Sequence, residues 1–209
     1  MLRVGLTGGI TTGKSAVGEM FVDLGCHLID SDTIGHQLYE PGQPIYDAVV
    51  QTFGKRVVAS NGTIDRKILG EIVFNDPQAR AKLNGLMHPA IVQRQQEWFK
   101  EIEAKDPGGI GIVGATLMIE AGNYRNFDKL IVVTCSTEEQ KRRLRQRSNL
   151  SEEQIEARLR SQMPTEEKVK YADYVIDNSG DLEHTRRQVV EVNSRLREFA
   201  ASTSGRRRS

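Results

Sequence analysis

Apolar residues along this chain follow two rhythms. Five short blocks rich in Val, Ile and Leu predict strands: Leu2-Arg3-Val4-Gly5-Leu6-Thr7, Cys26-His27-Leu28-Ile29, residues 110–119, Leu130-Ile131-Val132-Val133 and Tyr174-Val175-Ile176-Asp177. Near-continuous apolar runs suit strands buried on both faces. Elsewhere apolar positions recur at helical spacing among polar ones. A helix opens at Ser15-Ala16-Val17-Gly18-Glu19-Met20-Phe21, a basic one follows over residues 136 to about 147, two more cover 151–162 and 165–172, and residues 181–199 form a closing helix. Strands alternating with helices predict an α/β fold of three layers, a mostly parallel five-stranded sheet with helices on both faces.

The stretch between the second and third strand blocks has few strand signals. Residues 33–40 read as a helix, Pro41-Gly42 breaks it, and 44–53 read as another. Asn61-Gly62 is a turn. Thr63 or Asp65 can cap a helix through Arg66, Leu69, Ile72 and Phe74. Asp76-Pro77 starts the next, with Leu83 and Leu86 on its apolar face. His88-Pro89 restarts the chain as a further helix, Pro89 suiting a first turn, and Asp106-Pro107-Gly108-Gly109 ends it. This stretch is too long for a simple crossover and reads as an inserted substrate-binding subdomain. The expected organisation is a single domain over 1–200, with its core at about 1–31, 107–138 and 172–200, a helical insertion at about 32–106, a lid at about 139–171, and a disordered tail at 201–209.

Composition narrows the class. Among 209 residues, 29 Lys and Arg stand against 28 Asp and Glu, a net charge of +1. No broad positive field points to nucleic acid or to a membrane surface. No apolar run reaches membrane-spanning length, and Met1-Leu2-Arg3 leads into the first strand block without a secretory leader. Cys26 and Cys135 have neither metal nor disulfide spacing and read as small core residues in a reducing cytoplasm.

The chemistry begins at Gly8-Gly9-Ile10-Thr11-Thr12-Gly13-Lys14-Ser15, which satisfies the phosphate-loop pattern between a strand and a helix opening. Glycines let the backbone turn tightly and expose N–H groups to phosphate oxygens. The following helix adds its positive end. Lys14 brings a charge to the β- and γ-phosphates, and the Ser15 hydroxyl can ligate Mg2+. Asp30 and Asp32 follow the second strand directly, where open parallel sheets gather ligands. An aspartate there can orient or deprotonate an acceptor hydroxyl, or hold Mg2+ through water, while Asp32 also suits a helix cap. Lys141-Arg142-Arg143-Leu144-Arg145-Gln146-Arg147 holds five cations in seven residues. Arg143 and Arg147 share a helical face there, fit for phosphate oxygens in a lid or for plain solvation. Glu120, at the end of the third block, stands where many ATPases have a metal-binding aspartate. Thr116 and Met118 read as core or pocket lining, and His88 as a ligand contact or a backbone-bonded helix start.

These motifs together resemble the dephospho-CoA kinase family, from Leu6 to about Gly180. Leu6-Thr7-Gly8-Gly9-Ile10 with Gly13-Lys14-Ser15 is similar to its phosphate loop, and Ile29-Asp30-Ser31-Asp32 to its aspartate-x-aspartate motif. Gly62-Thr63-Ile64-Asp65-Arg66, Leu83-Asn84, His88-Pro89-Ala90-Ile91, Leu117-Met118-Ile119-Glu120, and Gln140, Arg143 and Arg147 follow in order. Arg158, Gln162-Met163-Pro164, Lys168, Ala172-Asp173 and Ile176-Asp177-Asn178-Ser179-Gly180 complete the series. The resemblance implies a P-loop kinase fold and an ATP- and Mg2+-dependent cytoplasmic phosphotransferase. That enzyme would phosphorylate the ribose 3′-hydroxyl of dephospho-CoA, as a monomer or small homo-oligomer without nucleic-acid or membrane partners. It further implies Asp32, Lys14 and Arg143 as catalytic residues and Gly8 through Ala16, Arg143, Arg147, Asn178 and Gly180 as ATP contacts. Asp32, Arg66, His88 and Leu117 would meet the acceptor, and Ser15 the metal. Thr11-Thr12 replaces the family's usual glycine-serine, so Thr11 is expected in an uncommon backbone conformation. Thr116 stands in place of a usual proline.

Overall fold

The computed structural model describes residues 1–148 and 150–206, with side chains to Thr203. Its strands are β1 (Leu2–Gly8), β2 (His27–Asp30), β3 (Ile110–Gly114), β4 (Lys129–Thr134) and β5 (Tyr174–Asp177). They form one sheet in the order β2-β3-β1-β4-β5, and every pairing is parallel. The helices are α1 (Lys14–Asp23), α2 (Ser31–Leu38), α3 (Tyr46–Phe53), α4 (Arg66–Asn75), α5 (Pro77–Lys105), α6 (Thr137–Arg147), α7 (Glu152–Arg160), α8 (Thr165–Val169) and α9 (Leu182–Arg206).

Period two along β1 explains its place at the centre. Leu2, Val4 and Leu6 join one core with Val17 and Phe21 of α1 and with Val189 and Leu196 of α9. Gly5, on the opposite face, leaves room for Met118 and Leu130. A Cβ there would lie 2.6 Å from Met118 Sδ. Met118 is therefore core.

Two compact units divide the chain, Met1–Asp30 with Phe99–Ser209, and Ser31–Trp98. The second has its own core of Val49, Phe53, Val57, Ile64, Leu69 and Ala79, flanked by Tyr39, Leu83 and Leu86. Asp65 caps α4, accepting from Lys67 N and Ile68 N at 2.9 and 3.0 Å, and Gly62 turns at φ 83°.

Three expectations change. The third strand stops at Gly114 rather than 119: Ala115 N still donates to Leu6 O at 3.0 Å, after which Ala121 N turns back onto Leu117 O. The two helices expected on either side of His88-Pro89 are one, α5, with Pro89 inside it. Proline there removes a single i to i−4 bond, and the ladder on both sides continues. The closing helix runs past residue 199 to Arg206, Ser202 and Thr203 hydroxyls donating back to Phe199 O. The tail expected to be disordered is helical to that point, and its residues 207–209 lie outside the described residues.

Candidate active site

β1 delivers the chain to the glycine loop at its carboxyl end. Gly8 ends the strand where no side chain fits: a Cβ would lie 2.6 Å from both Thr12 Oγ1 and Val133 O. The loop folds on itself, Thr12 N and Oγ1 donating to Gly9 O at 3.2 and 2.9 Å. Thr11 takes φ 56°, the uncommon conformation expected of it. A non-glycine residue held there costs roughly 1–3 kcal/mol. Its hydroxyl offsets part of that, lying 2.8 Å from Ile10 O and 3.1 Å from Gln140 O. Gly13, at φ 95°, opens α1 with no side-chain cap and no acid in the first turn. The helix thus presents bare N–H groups and a positive end. Ser15 and Ala16 are exposed on that first turn.

Lys14 leaves the same turn and reaches Asp30, the last residue of β2, with Nζ 2.7 Å from Oδ2. Both sit over Gly114 of β3, where a Cβ would lie 3.3 Å from Lys14 Nζ and 3.5 Å from Asp30 Oδ2. The missing side chain of Gly114 is what makes room for the pair.

The loop is held from outside by a set of side chains that spacing rules do not find. Gln140 Nε2 donates to Ile10 O, and Ile10 N donates to Gln162 Oε1, each at 2.8 Å. Arg143 Nη1 donates to Thr11 O and Thr12 O at 3.1 and 3.2 Å, and its Nη2 to Asn178 O at 3.0 Å. Asn178 Nδ2 donates to Thr12 O at 2.7 Å, and its Oδ1 accepts from Thr185 Oγ1 at 2.9 Å. Arg143 Nε turns to Glu139 at 2.7 Å, where Arg142 makes a two-pronged contact. Those hydrogen bonds, Arg142 first, hold the Glu139 carboxyl down at about 2. Burial pushes the neighbouring Cys135 thiol up to about 11.

The site residues read from the sequence separate accordingly. Gly8 through Ala16 form one continuous loop and helix start. Arg143 and Arg147 do not act alike: Arg143 is spent on loop carbonyls, whereas Arg147 is exposed and unpaired among the described residues. Asn178 is buried against the loop, and Gly180 is exposed beside His184. Leu117, in the turn after β3, is 51% exposed. In the second unit, Asp32 is exposed on the first turn of α2, Arg66 is exposed at the start of α4, and His88 is partly buried within α5. Glu120 is not on a strand. Its Oε1 lies 2.9 Å from Nζ of the fully buried Lys168 and accepts from Met163 N at 3.1 Å. Lys168 Nζ also donates to Thr116 O at 2.9 Å. Glu120 thus braces residues 162–168, and Asp30 is the strand-end acid beside the loop. No cluster of three or more His, Cys, Asp or Glu with metal-holding geometry occurs among the described residues.

Comparison with known proteins bears on this site. The family model described as dephospho-CoA kinase matches residues 2–184. The chain is 45% identical over 196 residues to a dephospho-CoA kinase of Aquifex aeolicus, covering 94% of this chain and 98% of that one. Among solved structures, a Thermus thermophilus protein superposes with a TM-score of 0.81 at 30% identity, covering 93% of this chain and 97% of that one. The dephospho-CoA kinase from Campylobacter jejuni superposes with a TM-score of 0.70 at 32% identity, covering 94% and 98%.

Proposed function

The chain belongs to the dephospho-CoA kinase family, and from the geometry of its loop we infer how it carries out that family's reaction. It is an ATP-dependent kinase acting at the last step of coenzyme A synthesis, transferring the γ-phosphate of ATP to dephospho-CoA. The observation that carries the assignment of roles is the Lys14–Asp30 pair at the mouth of an uncapped helix start.

In our reading, the amides of residues 9–16 and the dipole of α1 hold the β- and γ-phosphates. Lys14 exchanges Asp30, 2.7 Å away, for phosphate oxygens when ATP binds. Asp32, two residues beyond Asp30 along the chain, accepts the proton of the acceptor's 3′-hydroxyl. The 3′-oxygen forms its bond to the γ-phosphorus as the bond to the β,γ-bridging oxygen breaks, and ADP leaves with that electron pair. The hydroxyl of Ser15 and the carboxylate of Asp30 are hard oxygen donors that fit Mg2+. That ion, when bound, neutralises charge developing on the phosphates. Arg143 acts on ATP through the loop it holds, and Arg147 supplies the cation of a lid over residues 139–171. Gly180 borders the adenine, and residues 32–106 receive the acceptor, with His88 and Leu117 among its contacts. We assign the enzyme to the cytoplasm as a monomer or small homo-oligomer. No described helix is long and apolar enough to cross a membrane.

Assays with ATP and dephospho-CoA, AMP or shikimate test the acceptor. The expected result is rapid turnover of dephospho-CoA alone, and equal turnover of AMP or shikimate would overturn it.

A further inference from the structure

Lys168, on α8, is the one buried charged residue among the described residues, and no step above uses it. An ammonium taken out of water must keep its acceptors close. Two are in place, Thr116 O and Glu120 Oε1, each at 2.9 Å. Both belong to the turn after β3, and Thr7 Oγ1, on β1, donates to the same Thr116 O at 3.2 Å. Glu120 Oε1 also accepts from Met163 N at 3.1 Å. One carboxylate oxygen therefore grips residues 163 and 168 together and ties both to the sheet through the Thr116 turn.

The residue next to Met163 is Gln162, and it reaches the glycine loop. Its Oε1 accepts from Ile10 N at 2.8 Å, while Gln140 Nε2 donates to Ile10 O at 2.8 Å. Both backbone polar groups of Ile10 are thus held by side chains from outside the loop. The start of α8 closes in beside them: a Cβ on Gly9 would lie 3.7 Å from Thr165 Oγ1. The path from the buried ammonium to the loop is short, running from Lys168 Nζ through Glu120 Oε1 to Met163 N and the adjoining Gln162. A glutamine side chain loses rotamer freedom when it is held, so its bond to Ile10 depends on a backbone that is already fixed. We propose that Lys168 and Glu120 are positioning residues for the ATP loop. They fix the backbone at Met163 so that Gln162 holds Ile10, and the loop meets the triphosphate in a set shape instead of ordering on binding. The pair acts through Gln162 and not on the reacting atoms. This inference rests on the kinase reading above and extends its machinery to a buried ion pair.

Four variants would be compared with the wild type: Gln162→Ala, Glu120→Leu paired with Lys168→Met, the triple combination of these, and Glu120→Gln. The readouts are both KM values, kcat, ATP affinity by calorimetry, and thermal melts for folding. The paired variant replaces both charges by apolar side chains and leaves no unpaired buried ion, so it separates the brace from plain stability. In Gln162→Ala the KM and Kd for ATP are expected to rise about fivefold, the loss of one ordinary hydrogen bond, while the KM for dephospho-CoA stays within about twofold. The paired variant should show a similar rise. The triple variant should be no worse than either parent, because both changes cut the same chain of contacts. Glu120→Gln should keep near-normal ATP affinity even where its Tm falls, since both contacts use Oε1. A folded paired variant with wild-type ATP affinity, or a triple variant whose loss is the product of the two, would overturn the proposal and leave the pair purely structural. Gln162 is only partly buried, so Gln162→Ala is expected to fold whatever the others do, and wild-type ATP affinity in it would overturn the proposal alone. A wild-type protein that binds ATP without phosphorylating dephospho-CoA would instead remove the kinase reading, and the ATP affinities would still decide the brace.

Discussion

Gly13 shows how little freedom a single position has in this site. Its φ of 95° is open to glycine and strained for any other residue, and a Cβ there would collide with Asn178 Nδ2. Gly13→Ala therefore meets two penalties, roughly 1–2 kcal/mol of left-handed strain and displacement of the amide that holds Thr12 O. The expected outcome is a lower Tm and loss of ATP binding, read by calorimetry; normal binding would mean that the loop can re-form around a side chain. Asp32 makes a different prediction: α2 already begins at Ser31, so Asp32 is inside the first turn rather than the cap the sequence also allowed, and there an exposed carboxylate suits the positive end of the helix as well as catalysis. Asp32→Asn is expected to lower kcat by about 10²–10⁴-fold while leaving ATP affinity near normal. Near-normal turnover would reduce Asp32 to a helix-start residue. Gly13 and Lys14 were legible in the sequence because a phosphate loop is a local pattern whose physics lies within eight residues. Gln140, Gln162 and Asn178 stood out only through family resemblance, since their bonds to the loop span 130, 152 and 166 residues of chain and no local spacing encodes them.

At the scale of elements, the sequence located β5 and the start of α6 closely but misjudged β3 and α5. β5 lies between Asp173 and Asn178, both bonded to neighbouring β4, through Leu130 N and Thr134 O respectively, so the local polar residues mark its ends. β3 carries no such mark. The apolar run continues through Met118 and Ile119, but those side chains are buried in a turn rather than in the sheet. Pro89 misled for a similar reason: its local preference for a first turn is overridden when the surrounding helix loses only one bond. Within α6, Glu139 joins Arg142 to Arg143 and so links the helix to the loop. Its carboxyl is held at about 2, below an unfolded value of 4.5. A lowered folded pKa contributes stability that is present above pH 4.5 and is lost as pH falls through about 2. Glu139→Gln should therefore be less stable than wild type by a constant amount near neutrality, with the difference shrinking below pH 4.5. Denaturant melts across pH 2.5–7 read this, and a difference that stayed constant down to the lowest pH would exclude the carboxylate as its source.

Across the whole molecule, the chain passes from one compact unit to the other between Asp30 and Ser31. A single peptide link thus separates the acid paired with Lys14 from the segment carrying Asp32. The glycine loop, α1 and the α6 brace all belong to the first unit and are joined by hydrogen bonds within it, so on the proposed reading ATP is expected to bind without the acceptor. Such binding must appear as stability of the fold. At a hundredfold excess over Kd, ATP should add about 2.7 kcal/mol, a Tm rise of about 5–11 °C for a chain of this size. In Lys14→Met the rise should fall to a small fraction, because the bare helix end remains but the point charge does not. This variant also leaves Asp30, partly exposed, without its nearest cation, which lowers the baseline Tm independently of nucleotide. The informative quantity is therefore the ATP-induced shift within each protein rather than the Tm difference between them. A Lys14→Met shift as large as wild type would mean that the amides alone hold the triphosphate and that Lys14 is needed only for transfer.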